Sequence, residues 1–370
     1  MGDLERPAPD AHQRVAGIPR YQPGRSAEEV MAEHGLEAAV KLASNEAPFG
    51  PLPGVLDAVS RVTGSSGRYP DHTAWALRER LAVKHGRSVH HVTVGPGSVG
   101  LLQQLLLAFA GPGDEVLFPW PSFIAYPQFT MLAGAAAREA PLSDWRVDVE
   151  ALLARVTDHT VVVLVANPNN PTSTAIGTAA LDRLVDDLPA RVLLIVDEAY
   201  HEYVTDPDVP DAIRRYGDRA NVGVLRTFSK AWGLAGLRVG YLVAAPPVVE
   251  AVDAALIPFG VSAPAQAAAL AALDAEDEVA RRAALVVTER TRLRAELARR
   301  GIETPETQGN FVWMPVDRQA AELAVRLERR GVVTRPFPTG IRITIGRPDE
   351  DDRLLAALDD SSASTLGEAS

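Results

Sequence analysis

The sequence predicts an α/β protein, a mostly parallel sheet covered by helices and followed by a smaller α+β unit. Three observations predict it. Short runs that are apolar throughout, VVVLVA (161–166), VLLIV (192–196), VGVLRTF (222–228) and VGYLVA (239–244), alternate with segments of helical spacing; strands buried on both faces read this way. The stretch VTVGPGSVGLLQQLLLAFAGPGDEVLFPWPSF runs strand, glycine turn, apolar helix, turn, strand. The texture then changes after Pro246, where longer helical stretches take over.

In order along the chain, residues 1–44 are rich in Pro, Gly and short polar segments and read as an arm laid over something else. AWALRERLAVKH (74–85) has helical spacing, with Gly86 as its stop. Residues 178–188 supply one of the helices that cover the sheet. Beyond Pro246, a long helix over 278–300 ends at Gly301. NFVWMPV (310–316) follows, then a helix through AAELAVRLERR closed by Gly331, two short strands VVTRPF and IRITIG, and a last helix near 350–359. We therefore expect an N-terminal arm (1–44), a large domain (45–246), a small C-terminal domain (247–360) and a disordered tail (361–370). No internal repeat is apparent.

Bulk properties narrow the function. The chain has 370 residues and a formal charge of -11, and no Lys/Arg block sits beside aromatic residues, which argues against a nucleic-acid surface. Cysteine is absent, so disulfides and thiolate metal sites are excluded. The opening MGDLERPAPD lacks the order of an export signal, and no apolar run reaches membrane-spanning length. A soluble cytoplasmic protein is expected, without metal, since the histidines show no ligand spacing. Lysine is scarce: Lys41, Lys84 and Lys230 are the whole set. A mechanism that needs an amine has few choices.

The unusual residues fall at the carboxyl ends of the strands, where open α/β sheets place their chemistry. NPNNPT follows the first of the four runs, DEAY the second, and SK stands just past the third. Lys230, in TFSKAWGLAGLRVG, has the apolar and small neighbours that favour a neutral amine, as a Schiff-base lysine requires. Ser229 and Arg238 flank it, a hydroxyl and a guanidinium suited to a phosphate dianion. Asp197 ends a buried strand, where a carboxylate is costly unless it meets a cation. The protonated pyridine nitrogen of pyridoxal phosphate (PLP) is such a cation. Tyr200 and Asn170 are placed to reach the ring's O3′ oxygen, although Asn170 also suits turn chemistry. His201 reads as a residue behind the site or at the surface.

GPGSVG (95–100) matches the dinucleotide fingerprint G-x-G-x-x-G. The fingerprint also wants an acid at the end of the second strand; here Asp114 and Glu115 precede that strand. A helix N-terminus offering the N–H groups of Gly97, Ser98 and Val99 makes a phosphate cup, and we read a PLP site over an NAD site. Phe123, in PWPSF, is placed to stack on the pyridine ring, with core packing as the alternative.

The chain resembles the PLP fold-type I, class I/II aminotransferases in the histidinol-phosphate aminotransferase family, from about residue 15 to 350. The landmarks are KLASNEAPFGPLP, RYPD, VGPGSVGLLQQL, ANPNNPTS, VDEAYHEY, RTFSKAWGLAGLRVGY, GNFVWMP and IRITIG. The resemblance implies a mostly parallel seven-stranded sheet with a smaller C-terminal α+β domain. It implies that Lys230 holds the cofactor as a Schiff base and serves as general base of the 1,3-proton shift. Asp197 would pair with the pyridine nitrogen, Asn170 and Tyr200 would hold O3′, and Gly97, Ser98, Val99, Ser229 and Arg238 would hold the phosphate. Tyr69 resembles the tyrosine that reaches the other subunit's cofactor phosphate, which implies a homodimer with shared active sites. Arg342 is similar to the arginine that clamps the α-carboxylate, while Arg335, Tyr21, Asn45 and Asn310 resemble the remaining substrate-contacting set.

Several segments look more like the actinobacterial aromatic amino acid aminotransferases: KLASNEAPFGPLP, GSVGLLQQL, SFIAYP and NPNNPTS. Histidinol-phosphate enzymes often show tyrosine where Phe123 stands and NPTG where this chain has NPTS. The chain departs from the aromatic branch at Pro121, Ile124 and Trp232, where arginine, glutamate and tyrosine are usual. The expected reaction is ping-pong transamination between an aromatic L-amino acid and 2-oxoglutarate. The alternatives are L-histidinol phosphate as donor, a PLP lyase or decarboxylase on the same scaffold, and a PLP-binding sensor without catalysis.

Overall fold

The computed structural model describes residues 24–367 together with 15, 17 and 18, with side chains described as far as residue 360 apart from Asp317. Among these residues the main sheet has eight strands. They are β2 (Val92–Gly95), β3 (Glu115–Trp120), β4 (Ala136–Ser143), β5 (Arg146–Val147), β6 (Thr160–Ala166), β7 (Leu193–Asp197), β8 (Val222–Thr227) and β9 (Gly240–Ala244). Their spatial order is β2-β9-β8-β7-β6-β3-β4-β5. β8, β7, β6, β3 and β4 run parallel, whereas β9 is antiparallel to both neighbours. The expected seven strands are exceeded by β5, a two-residue edge strand antiparallel to β4. β4 itself, AAREAPLS, carries mostly exposed residues, so it lacks the apolar run that marks its neighbours.

Period-2 alternation sorts the sheet's side chains into two cores. Val162, Leu164, Leu193, Ile195 and Leu225 pack with Leu101, Leu102 and Leu105 of the helix Gly97–Phe109 on one face. Val163, Val165, Leu194, Val196 and Val224 pack on the other, against Leu181, Leu184 and Tyr216. Leu164 is fully buried; truncating it to alanine would cost about 2–5 kcal/mol. Alternation also sends the two acids at the end of β7 in opposite directions, Asp197 toward the first face and Glu198 toward the second.

The smaller unit is built on β10 (Phe311–Met314), β12 (Arg335–Phe337) and β13 (Gly340–Thr344), an antiparallel sheet in the order β10-β13-β12. Beside it, β11 (Val332–Val333) pairs in parallel with β1 (Val40–Lys41). The N-terminal region is therefore partly regular: it contributes β1 and a helix Ala27–His34, started by a Ser26/Glu29 capping box and stopped by Gly35 in the left-handed region. The long helix spans Glu276–Arg299. The last helix runs Pro348–Gly367, so the tail expected to be disordered from 361 is helical as far as 367.

Candidate active site

The carboxyl ends of β6, β7 and β8 open into a cavity of about 190 Å³. Its wall includes Ser98, Val99, Phe123, Asn170, Asp197 and Tyr200 from the strand ends, helix head and connections of the large sheet. Ser229, Lys230 and Arg238 come from the loop after β8, and Arg335 and Arg342 from the small sheet. Eleven of the candidate site residues thus meet in one cavity.

Lys230 differs from the other two lysines. Lys41 is paired with Glu46 at 3.0 Å and Lys84 with Glu276, whereas the Lys230 amine donates to the carbonyl of Ser44 at 3.1 Å. Burial, with Arg342 and Arg238 nearby, pushes its pKa down to about 7. A substantial neutral fraction is therefore present at neutral pH. Burial likewise pushes Asp197 up to about 6. Its oxygens accept from the Ala199 N–H at 3.2 Å and the Tyr126 hydroxyl at 3.3 Å, and those two bonds do not offset its desolvation.

One end of the cavity lies at the head of the helix Gly97–Phe109. The first N–H groups of a helix have no intrahelical acceptor, and those of Ser98 and Val99 belong to residues on the cavity wall. Gly97 sits behind the wall, at φ +76°, and a Cβ there would come 2.5 Å from Arg238 Nη2. Glycine therefore lets the guanidinium reach the helix mouth. Arg238 Nη1 donates to Ser229 Oγ at 3.0 Å, which gathers guanidinium, hydroxyl and helix N-terminus at one end of the cavity.

At the other end, Arg342 donates to Asn170 Oδ1 at 2.6 Å and to the Ala43 carbonyl at 2.5 Å. Its guanidinium lies 5.6 Å from the Phe311 ring and 5.8 Å from the Phe337 ring. Arg342 thus shares the cavity wall with the apolar side chains of Phe123, Ile124 and Phe337.

Other expected residues stand elsewhere. Asn45 and Asn310 are buried one layer behind the wall. Asn45 Nδ2 donates to the Tyr200 hydroxyl at 2.9 Å, and Asn310 Nδ2 donates to the Asn45 carbonyl at 3.1 Å. These amides orient Tyr200 and brace the Asn45 segment. Tyr69 is 82 % exposed and stacks on Phe259 with ring centroids 4.4 Å apart, away from this cavity. Tyr21 lies outside the described residues. His201 is half-buried, with Nε2 3.5 Å from Asp211 Oδ2. Trp232 is buried against Phe228 and donates to Glu202 at 2.7 Å, off the cavity wall.

Sequence reasoning missed Tyr126, Ala199, Thr227 and Phe337. Tyr126 had a signal: it stands three residues after Phe123 at the start of a helix, on the same side, and its ring meets Phe123 edge-on at 5.6 Å. Thr227, as the last residue of β8, and Ala199, two beyond Asp197, had only their strand-end positions to recommend them. Among the described residues there is no cluster of His, Asp and Glu able to hold a metal, and no helix is long and apolar enough to cross a membrane.

Comparison with known proteins accords with this geometry. Residues 37–358 match the family model for aminotransferase class I and II. The aromatic amino acid aminotransferase of Thermobifida fusca is 49% identical over 352 residues, covering 95% of this chain and 97% of that protein. That of Streptomyces avermitilis is 46% identical over 354 residues, with 95% and 97% covered. Among solved structures, the histidinol-phosphate aminotransferase from Sinorhizobium meliloti in complex with pyridoxal-5'-phosphate superposes with a TM-score of 0.87. It is 30% identical, and 95% of this chain and 97% of that one are covered. The chain belongs to the class I and II aminotransferases.

Proposed function

We propose that this class I/II aminotransferase is a pyridoxal phosphate enzyme that moves the amino group of an aromatic L-amino acid to 2-oxoglutarate, giving the aryl 2-oxo acid and L-glutamate. One observation carries the reading: a single cavity holds an amine that is partly neutral near pH 7, a buried carboxylate with no salt bridge among the described residues, and a guanidinium beside apolar side chains.

The residues fit the cofactor. Asp197 needs a cation to offset its burial, and the protonated ring nitrogen of PLP would supply one. Ser98, Val99, Ser229 and Arg238, with the backbone of Gly97, would hold the phosphate. Phe123 would cover one face of the ring. Asn170 keeps its Nδ2 for the ring's hydroxyl because Arg342 takes its Oδ1, and Tyr200, oriented by Asn45, reaches the same side. When bound, the cofactor supplies an electron sink for the pair left on the substrate's α-carbon.

The chain's own groups do the rest. Arg342 grips the α-carboxylate through parallel N–H groups and so fixes the α-carbon. Lys230 would serve as the base of the 1,3-proton shift, taking the α-proton on Nζ and giving it back; a pKa near neutrality suits both tasks. Asp197 would hold the proton of the ring nitrogen when the cofactor is bound. The same residues then run the reverse sequence with 2-oxoglutarate, so the amino group is exchanged without net oxidation.

Phe123, Ile124 and Phe337 favour a flat apolar side chain, in line with the names of the two relatives. Tyr69, exposed and remote from its own cavity, supports a homodimer in which it reaches the partner's cofactor phosphate. Arg335 on the wall favours one second reading, with L-histidinol phosphate as donor and Arg335 on its phosphate. Steady-state kcat/KM for L-phenylalanine, L-tyrosine and L-histidinol phosphate with 2-oxoglutarate decides between them. Preference for the aromatic acids upholds the proposal, and preference for histidinol phosphate replaces it.

A further inference from the structure

Ser173 is fully buried and holds φ at +63°, a left-handed conformation that side chains with a Cβ seldom adopt. It closes the NPNNPTS segment, three residues after Asn170. Its neighbours in space belong to the crossing segment that leads into β10. The Ser173 carbonyl accepts from the Gln308 N–H at 2.7 Å, and the Ser173 hydroxyl accepts from the Gly309 N–H at 2.9 Å. One residue therefore grips two consecutive amides. The hydroxyl is close enough that a Cβ on Gly309 would meet it at 2.9 Å, so the two positions are fitted to each other.

The residues just past Gly309 lead to the site. Asn310 braces Asn45, Phe311 packs edge-on against Tyr200 at 4.9 Å, and β10 pairs Trp313 with Arg342 on β13. Arg342 then returns to Asn170, in the same turn as Ser173. The turn and the small sheet are thus tied at two points, one a backbone grip by Ser173 and the other the Asn170–Arg342 hydrogen bond. Glycine would suit the backbone angle better but would leave the Gly309 N–H without its hydroxyl.

We infer that Ser173 is a positioning residue: its hydroxyl sets the small sheet against the large one so that Arg342 meets the substrate carboxylate. The inference rests on the reading of Arg342 as the carboxylate clamp. The geometry assigns Ser173 no contact with the reacting atoms, so its loss should act on carboxylate binding rather than on the cofactor.

The test compares the cofactor-loaded wild type with S173G, S173A and R342K, using 3-phenylpropionate as an unreactive carboxylate probe in titration calorimetry. Visible spectra and melting temperatures are recorded in parallel. S173G removes the hydroxyl and relieves the backbone angle, so it folds; S173A removes the hydroxyl and keeps the strained angle. Both are expected to weaken the probe by about tenfold, the scale of one buried hydrogen bond. Their visible spectra should match the wild type, and only S173A should melt lower. If R342K weakens the probe but S173G binds it like the wild type, the inference about Ser173 is overturned while the clamp stands. Weakening in S173A alone would show that the hydroxyl is dispensable once the backbone angle is relieved, and would overturn it equally. If R342K leaves binding unchanged, the clamp reading itself fails and takes the inference with it.

Discussion

Asp197 and Glu198 are adjacent, both buried, and only one of them is matched by charge. Glu198 accepts two bonds from Arg226, at 2.9 and 2.7 Å, and a third from the Ala212 N–H at 2.8 Å. Arg226 also reaches Asp211 at 2.7 Å. On the opposite face Asp197 has a phenol and a backbone N–H, while Lys230, Arg238, Arg335 and Arg342 share its cavity. The same strand end thus carries a finished ion cluster on one side and an unfinished one on the other. Both acids are buried, so the difference lies in what each side still lacks. A buried ion cluster with every partner present holds the fold together; perturbed charges left without salt bridges in one cavity are what a ligand site offers.

The contrast is broken most severely at Lys230. K230A should lower transamination by about 10⁴-fold or more, since it removes both the attachment point and the base, with melting temperature retained. Survival of more than a few per cent of the rate would sink the assignment. Next come the paired acids. D197N should cut kcat by roughly 10²–10³-fold and leave the cofactor-free chain as stable as before or more so, because an uncompensated carboxylate is removed. E198Q should do the reverse, costing about 3–5 kcal/mol of stability by leaving Arg226 short of a partner, with the activity of folded molecules largely kept. Chemical denaturation and steady-state kinetics on both variants decide it; matching profiles would erase the distinction between the two faces.

Linkage sharpens the comparison at a smaller scale. Asp197 is held above its usual 3.8, at about 6, so the folded, cofactor-free chain keeps a proton that the unfolded chain has lost. The stability that this provides is full below pH 4 and disappears as pH rises through 6. Asp211 has the opposite sign: despite partial burial, Arg226 and His201 hold it at about 2. Its contribution is present above pH 4 and is lost as pH falls through 2. Lys230, depressed from 10.5 to about 7, destabilises the fold where the unfolded lysine is charged, so stability should rise with pH from about 7 to 10.5. Wild type minus K230M should climb over that interval, with a limiting slope of about 1.4 kcal/mol per pH unit. A flat difference curve would mean that the amine is not desolvated. The smallest effect is expected from Y126F, which removes one of Asp197's two hydrogen bonds and should reduce kcat by no more than about tenfold; a loss as large as that of D197N would make the phenol a principal group.

Much of the site was legible because its residues stand just beyond strands whose apolar runs announce themselves. Lys230, Asp197, Asn170 and the GPGSVG turn all sit a few residues past such a run or at its last position, so finding the strand finds the residue. β4 escaped because an exposed strand has no such run, and β5 because two residues make no pattern. Asn45 and Asn310 resisted for another reason. An amide that touches a substrate and an amide that holds a tyrosine have the same sequence appearance, and only the distances of 2.9 and 3.1 Å separate them. Tyr126 could have been found from its helical spacing to Phe123, but nothing local pointed across the sheet to Asp197.

By itself the sequence determined the strand cores, the helix stops and which of the three lysines stands at the carboxyl end of a strand, because these depend on side-chain type, on period and on nearest neighbours. The tertiary structure alone decided which buried charges meet a salt-bridge partner and which do not. It also decided how the turn at Ser173 meets the segment before β10, through a hydrogen bond that joins positions 136 apart in the chain. Charge compensation and domain register are sums over atoms distant in sequence, and no local pattern carries them.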